Sequence, residues 1–404
     1  MTPSGPASND PRNIETKPSA TGTKPPLIID EAGIVHPVTR QRGAQHDHIH
    51  SEEAAVQAEG GVATLEAPPG EDLEAIAKCV REQTNMPEDG PGAEVSYDDL
   101  FDDPPLGPMS LTKKVATFML VVIPFIGLVA GIYLSLNYPM SWFHLSVMTV
   151  MYLATGLGIT IGYHRLFTHK SFKAGPIVTY LLAGFGSMAF QGPVIEWCAV
   201  HRRHHQHSDD EHDPHSPHQH GDSGIKGILK GFYHAHIGWL VSPSFGPLRP
   251  YVPDLLKDKV VAKVNSQYVW WVVAGFAFPT ILGGLVTQSW MGALMGLIWG
   301  GFVRLAVVHH ITWSVNSVCH IWGSRTYKSH DHSTNNPIVG VLAFGEGWHN
   351  NHHAFPASAR HGLAWWQIDT SYILIKCMEK LGLVSDVKVP SRERMKAKLR
   401  NKVA

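Results

Sequence analysis

The apolar positions of this chain fall into four long uncharged runs that follow a polar N-terminal stretch, residues 1–108. Val115 to Leu136, Trp142 to Tyr163 and Tyr268 to Thr287 carry no charged residue. Trp290 to Ile311 is interrupted only by Arg304 and the pair His309–His310 near its end. At 1.5 Å per residue each run crosses the ~30 Å of a bilayer's hydrocarbon. Charge-poor runs of this length are rare in water-soluble folds, so the pattern predicts an all-α membrane protein with four transmembrane helices. The links Asn137 to Ser141 and Gln288-Ser289 are short, which predicts two helical hairpins. A fifth apolar stretch, Gly175 to Ala189, is too short to span and predicts an interfacial or re-entrant helix.

Polar segments divide the rest. Residues 1–108 are rich in Pro, Gly, Ser, Thr and acidic residues and lack sustained periodicity, so they read as a disordered extension. Glu71 to Arg81 is the one candidate amphipathic helix there, and His46 to His50 (H-D-H-I-H) reads as a solvated histidine run. The expected membrane domain is 109–390, with a basic tail at 391–404. The start of the chain lacks a basic segment and an apolar core, so no signal peptide is expected.

Charge sets the orientation. The two short links are uncharged, while Lys113, Lys114, Arg165, Lys170, Arg202, Arg203, Lys226, Lys230, Arg325 and Lys328 gather at the opposite helix ends. The positive-inside rule then places these ends and both termini in the cytoplasm. A net charge of −1 gives no field for nucleic acid. Cys79, Cys198, Cys319 and Cys377 form no CxxC pair, which argues against a zinc ribbon or a disulfide framework.

The candidate chemistry is histidine. H-R-L-F-T-H (His164 to His169), H-R-R-H-H (His201 to His205) and H-N-N-H-H (His349 to His353) each lie against an apolar run. Residues three and four apart share a helix face, so His201, His204 and His205, and likewise His349, His352 and His353, can aim at one point or divide between two metals. His164 and His169 are five apart, about 140° around an α-helix, and are expected to serve different metals. His320 follows the fourth run, with Asn316 one turn earlier on its face. Nine histidines and one amide suit two metals of four or five ligands each. Neutral imidazoles are compatible with iron; zinc would fit but cannot cycle electrons. The loop histidines His207, His212, His215, His218 and His220 read as surface or supporting groups. Asp209, Asp210 and Asp213 are candidates to orient ligand rings through the far nitrogen.

The strings H-R-L-F-T-H, E-W-C-A-V-H-R-R-H-H, D-P-H-S-P, N-S-V-C-H-I-W-G and F-G-E-G-W-H-N-N-H-H-A-F resemble the membrane fatty acyl desaturases of the Δ9, stearoyl-CoA desaturase-like type, in their bacterial and cyanobacterial acyl-lipid or acyl-CoA branch. The resemblance covers roughly residues 110–390. It implies four transmembrane helices under a cytosolic helical cap that holds a di-iron centre. The ligands it implies are His164, His169, His201, His204, His205, His320, His349, His352 and His353, with Asn316 acting through a water. It further implies a reaction in which O₂ and two electrons convert adjacent methylenes into a cis double bond. Trp197, Trp239, Trp313, Trp322 and Trp348 are candidates to line an acyl tunnel.

The competing readings are a di-iron acyl hydroxylase and a histidine-rich metal transporter; transporters place their ligands nearer mid-membrane. No H-P-G-G segment and no iron–sulfur cysteine pattern appears. Electrons are therefore expected from a separate ferredoxin, rubredoxin or cytochrome b5, docking on basic residues such as Arg202, Arg203, Lys226 and Lys230.

Overall fold

A computed structural model describes residues 27–29, 35–37, 109–138, 141–219, 224–242 and 248–400. It divides into two units, Met1–Thr64 and Leu65–Ala404. The described part of the first is a small antiparallel pair, β1 (Leu27–Ile29) with β2 (Val35–Pro37), in which Ile28 faces His36. The candidate helix Glu71 to Arg81 and the His46 to His50 run lie outside the described residues.

The second unit is helical. α1 (Leu111–Asn137) and α2 (Trp142–Leu157) come first, and α2 continues as a π-helical stretch, Gly158–Thr168. α3 (Pro176–Ser187) and α4 (Val194–His207) follow, then α5 (Gly224–His236). Short α6 (Pro253–Lys257) and α7 (Lys259–Ser266) lead into α8 (Tyr268–Thr287). α9 (Trp290–Met295) runs on through a π-helical Gly296–Val303 into α10 (Arg304–Ile321). The C-terminal part carries α11 (Pro337–Leu342), α12 (His349–Ala354), α13 (Thr370–Lys380) and α14 (Arg392–Ala397). β3 (Lys173–Ala174) pairs with β4 (Val384–Ser385).

Four helical spans are long and apolar enough to cross a membrane: Lys114–Asn137, Trp142–Thr168, Tyr268–Thr287 and Trp290–Ile321. They are not equivalent. The first and third expose Phe118, Phe125, Ile126, Val129, Trp270, Phe278 and Ile281, as lipid-facing helices do. The fourth is the most buried and forms the centre, with the other three packed on it. The third and fourth make the expected hairpin. The first pair is joined in sequence, but the first span packs chiefly on the fourth rather than on the second. Glycines allow that approach: Cβ atoms at Gly127 and Gly131 would meet Phe302 and Val303 at 2.1 and 3.0 Å.

The short apolar stretch is re-entrant in its packing. α3 runs back along the π-helical part of the second span. Close backbone contact requires glycine here, because a Cβ on Gly158 would lie 2.3 Å from the Gly186 nitrogen. The helix ends against the fourth span, and the buried carbonyls at its end need donors. Arg304 supplies two, donating to Met188 O (2.8 Å) and, across to α8, Gly275 O (3.0 Å). His309 Nε2 lies 2.8 Å from Ala189 O. The two polar interruptions of the fourth run thus hold the buried turn, and α4 leads the chain back from it.

Substitution of Gly158 by Ala should push α3 off the second span. Overpacking of this kind typically costs about 1–3 kcal/mol. The thermal midpoint of the detergent-purified protein is therefore expected to fall, and an unchanged midpoint would show that the two helices are not in backbone contact.

Candidate metal centre

All nine predicted histidines meet at one place, in two adjoining sets. His164, His169, His201, His205 and His352 form the first, and His204, His320, His349 and His353 the second. Within each set the potential ligand atoms lie within 4.8 Å of one another. In the first, Nε2 of His352 is 3.1 Å from that of His164 and 2.9 Å from that of His205. In the second, Nε2 of His349 is 3.0 Å from those of His320 and His353. The H-R-R-H-H and H-N-N-H-H trios each divide between the sets.

His164 and His169 share a set, which corrects the expectation that they serve different metals. The 140° offset holds for an α-helix, but this segment is π-helical. His169 N bonds to His164 O, an i→i+5 contact at 3.1 Å. The widened turn carries the fifth residue back toward the first, and the rings stand 4.8 Å apart, edge to face.

Neighbouring residues build this placement. Arg202 is buried and caps the free carbonyls at the end of the second span, donating to Phe167 O (2.7 Å) and Thr168 O (3.0 Å). Asp254 holds the same guanidinium at 2.6 and 3.0 Å. Arg203 is also buried and donates to His212 O. These two arginines are scaffold and offer no docking surface, against the sequence expectation. α12 is one short buried turn, held by its asparagines. Asn350 exchanges two bonds with the Tyr327 backbone, and Asn351 donates to His361 O and Gln367 Oε1.

Carboxylates face the far nitrogens. Asp213 lies 3.0 Å from His204 Nδ1, and Asp209 lies 3.0 Å from His320 Nδ1. Asp331 bonds His353 Nδ1. Glu346 Oε2 is 2.6 Å from His164 Nδ1. Two of the three proposed aspartates are therefore in place, while Asp210 pairs instead with His207 near the surface. Asp331 and Glu346 escaped sequence reasoning. Glu346 also contacts buried Arg165 and His361, and Arg165 reaches Asp369. The loop histidines differ in fate. His215 is buried and its ring lies tilted 4.3 Å from that of His204, His218 Nε2 lies 2.9 Å from His320 O, and His220 is outside the described residues.

The electrostatics favour metal. Burial, with the neighbouring imidazoles adding to it, holds His169, His201, His204, His205, His349 and His352 well below the usual histidine range. The rings are neutral and keep a lone pair for a cation. Burial pushes the carboxyls of Asp209, Asp331 and Glu346 upward. Facing imidazoles outweigh it, with Arg165 helping at Glu346, and hold all three below their usual range. Asp213 differs: burial pushes it up to about 7. The four-histidine set thus has three carboxylates behind it and the five-histidine set has one. His169 Nε2 is buried inside the cluster with no hydrogen-bond partner, an orphan that a cation would satisfy. The residues fit two metal ions.

A largely apolar, half-open cleft reaches the centre. Tyr152, Gly156, Ile159, Val308, Ile311, Val315 and Phe344 line it, and His164, His201, His349 and Asn316 stand at its polar end. Of the five tryptophans suggested for a tunnel, Trp197 lines the cleft; Trp313 and Trp348 are buried elsewhere, Trp239 is half-buried beside His215, and Trp322 is exposed. Gln191 donates to Thr312 Oγ1 (3.0 Å) and accepts from Trp197 Nε1 (3.4 Å), a polar brace across the cavity wall. Phe344 seats against Gly156, where a Cβ would lie 2.3 Å from its ring.

Four apolar spans and a buried polyhistidine centre beside an apolar cleft fit a membrane protein able to hold metal ions. A family model for fatty acid desaturases matches residues 139–376, and the chain belongs to that family of oxidoreductases. It is 47% identical over 279 residues to hex-5-enoyl-[acyl-carrier protein] acetylenase of Moorena producens, covering 69% of this chain and 87% of that protein. It is 40% identical to sn-1 stearoyl-lipid 9-desaturase of Anabaena variabilis, covering 63% of this chain and 87% of the relative. It is also 38% identical to icosanoyl-CoA 5-desaturase of Limnanthes douglasii, over 65% of this chain and 70% of that one.

Asp331→Asn removes the charge behind His353 while keeping the shape of the side chain. Metal affinity at the four-histidine set should fall about 10–100-fold, read as earlier loss of one metal equivalent during titration with a chelator. Two equivalents leaving together, at the wild-type chelator concentration, would show that Asp331 does not support a ligand.

Proposed function

We propose that the chain is a di-iron desaturase that converts two adjacent methylenes of a saturated acyl chain into a cis double bond, at Δ9. One observation carries this reading: nine imidazoles meet in sets of five and four, and three of them, His164, His201 and His349, stand at the polar end of an apolar cleft. His164, His169, His201, His205 and His352 would hold one iron, and His204, His320, His349 and His353 the other. Asn316 would act through a water beside the second set. Bound iron would supply the O₂-dependent oxidation of an otherwise inert C–H bond. The net reaction takes two hydrogens from the substrate, two electrons from a separate ferredoxin, rubredoxin or cytochrome b5, and two protons. It reduces O₂ to two waters.

The protein's own residues position and shield. The apolar wall from Tyr152 to Val315 binds the chain by removing methylenes from water, at ~0.8 kcal/mol each. A featureless chain can be measured only by the length and shape of its cavity, so the Gln191–Thr312–Trp197 brace and the Phe344 plug fix which carbons face the histidines. Carboxylates on the far nitrogens hold the ring tautomers. Acyl-lipid and acyl-CoA substrates are both supported by the names of the relatives. The basic residues at the helix ends that carry the histidines favour a cytoplasmic centre and cytoplasmic termini. The tail 1–108 contributes no ligand and is dispensable for chemistry.

A second reading has a specific observation behind it. The relative at 47% identity is an acetylenase, so the same centre could act on an existing double bond and leave a triple bond.

Expression in a host lacking unsaturated fatty acids, followed by chromatography with double-bond location, tests the reading. Cis-Δ9 products are expected. An acetylenic product would favour the second reading, and a hydroxylated product would overturn both. His352→Ala should abolish product and release iron. His218→Ala should retain both, because its contact is to the backbone carbonyl of His320. A chain starting at Met109 should keep full activity; loss of activity in a stably inserted form would assign the tail a role.

A further inference from the structure

The C-terminal segment was read from sequence only as a basic tail, yet it is built onto the metal centre. The stretch from Arg392 to Arg400 carries Arg392, Arg394, Lys396, Lys398 and Arg400 against a single carboxylate, Glu393. It is not a loose end. Arg400 N bonds to Thr326 O (3.1 Å), Lys328 N bonds to Lys398 O (2.7 Å), and Tyr327 pairs with Leu399. Met395 turns inward to the cluster of Tyr327, Ala354 and Phe355. This lays the basic ribbon beside Arg325 and Lys328 and directly over α12.

Two contacts carry the surface to the second histidine set. Lys398 Nζ donates to Ala354 O at 2.7 Å, one residue beyond His353. Arg325 bonds the backbone carbonyl of Asp331, whose carboxylate holds His353 Nδ1. Arg392, Lys396 and Arg400 remain exposed outside these contacts.

We propose that this ribbon, Arg325 and Lys328 with Arg392 to Arg400, is the docking surface for an acidic one-electron carrier protein, which delivers electrons through the His353 side of the centre. Charge complementarity steers such encounters and sets their rate. Each double bond consumes two electrons, so two reduced carriers dock and leave oxidised per turnover. A membrane is a poorer occupant. An interfacial helix needs an exposed apolar face beside its cations, and α14 turns its one large apolar residue, Met395, into the protein. α5 shows the contrast, because Ile225, Ile228, Leu229 and Tyr233 are exposed along it. Of the basic residues suggested from sequence, Arg202 and Arg203 are buried, and Lys226 and Lys230 are exposed on α5 among its apolar residues.

This inference rests on the desaturase reading, and the test separates the two. The full-length protein is compared with the triple variant Arg392→Glu, Lys396→Glu, Arg400→Glu. Electrons come from an acidic [2Fe–2S] ferredoxin in one arm and from a small chemical reductant in the other. The KM for ferredoxin is expected to rise about tenfold in the variant, and its salt dependence to flatten. Turnover with the chemical reductant should be unchanged. An unchanged KM would overturn the proposal, as would an equal loss in both arms, which would mark the ribbon as structural. Loss of binding to phosphatidylglycerol vesicles with an unchanged ferredoxin KM would assign the ribbon to the membrane instead. Absence of turnover in the wild type in both arms would count against the desaturase reading itself.

Discussion

Packing nine imidazoles into two contiguous sets is the constraint on which the rest of this molecule depends. Each ring charged in that space would face several others at contact distance in a medium of low dielectric constant. Burial holds His169, His201, His204, His205, His349 and His352 well below the usual histidine range, and the carboxylates of Asp209, Asp213, Asp331 and Glu346 face the far nitrogens of four rings. The arrangement is stable only if the backbone carrying the rings is held firmly. Arg202, Arg304, Asn350 and Asn351 do that by donating to carbonyls that helix ends and short turns leave open.

The same constraint explains the membrane architecture. The ligands are distributed over the ends of the second and fourth spans, over α4 and over α12. The packing of α3 along the π-helical part of the second span lets α4 reach the centre. That packing requires glycine at Gly158 and buried donors at Arg304 and His309. A span with a charge in it looks like a flaw in the hydrophobic pattern, but here the charge is what allows an irregular turn to sit in a water-free region. The central position of the fourth span follows, since it carries His320 and Asn316 as well as both of these donors.

Much of this was legible in the sequence. Three charge-free runs and a fourth with one arginine marked the spans, and two histidine trios at i, i+3, i+4, the pair His164 and His169, and His320 marked the nine rings that meet. What escaped did so for physical reasons. A π-helical turn has no sequence period distinct from an α-helix, so His164 and His169 were assigned to different metals. Asp331 lies in a polar loop far from its partner His353 in the fold's centre, and only tertiary folding brings them together; Glu346 sits in a glycine-flanked turn with no pattern to mark it. Arg202 and Arg203 look like surface charge beside a histidine string, and their burial follows from carbonyls that no local pattern reveals. The packing of the first span on the fourth was hidden because a short link says that two helices are neighbours in sequence, not which neighbour each one prefers.

The central claim is that the two histidine sets each hold one iron with nitrogen-rich ligation. X-ray absorption combined with Mössbauer spectroscopy of the iron-loaded, full-length protein tests it most directly. Two irons per chain, in two distinguishable sites with multiple-scattering features of several imidazoles and no bidentate carboxylate, would agree with this account. A single iron per chain, or a carboxylate-bridged pair, would contradict it.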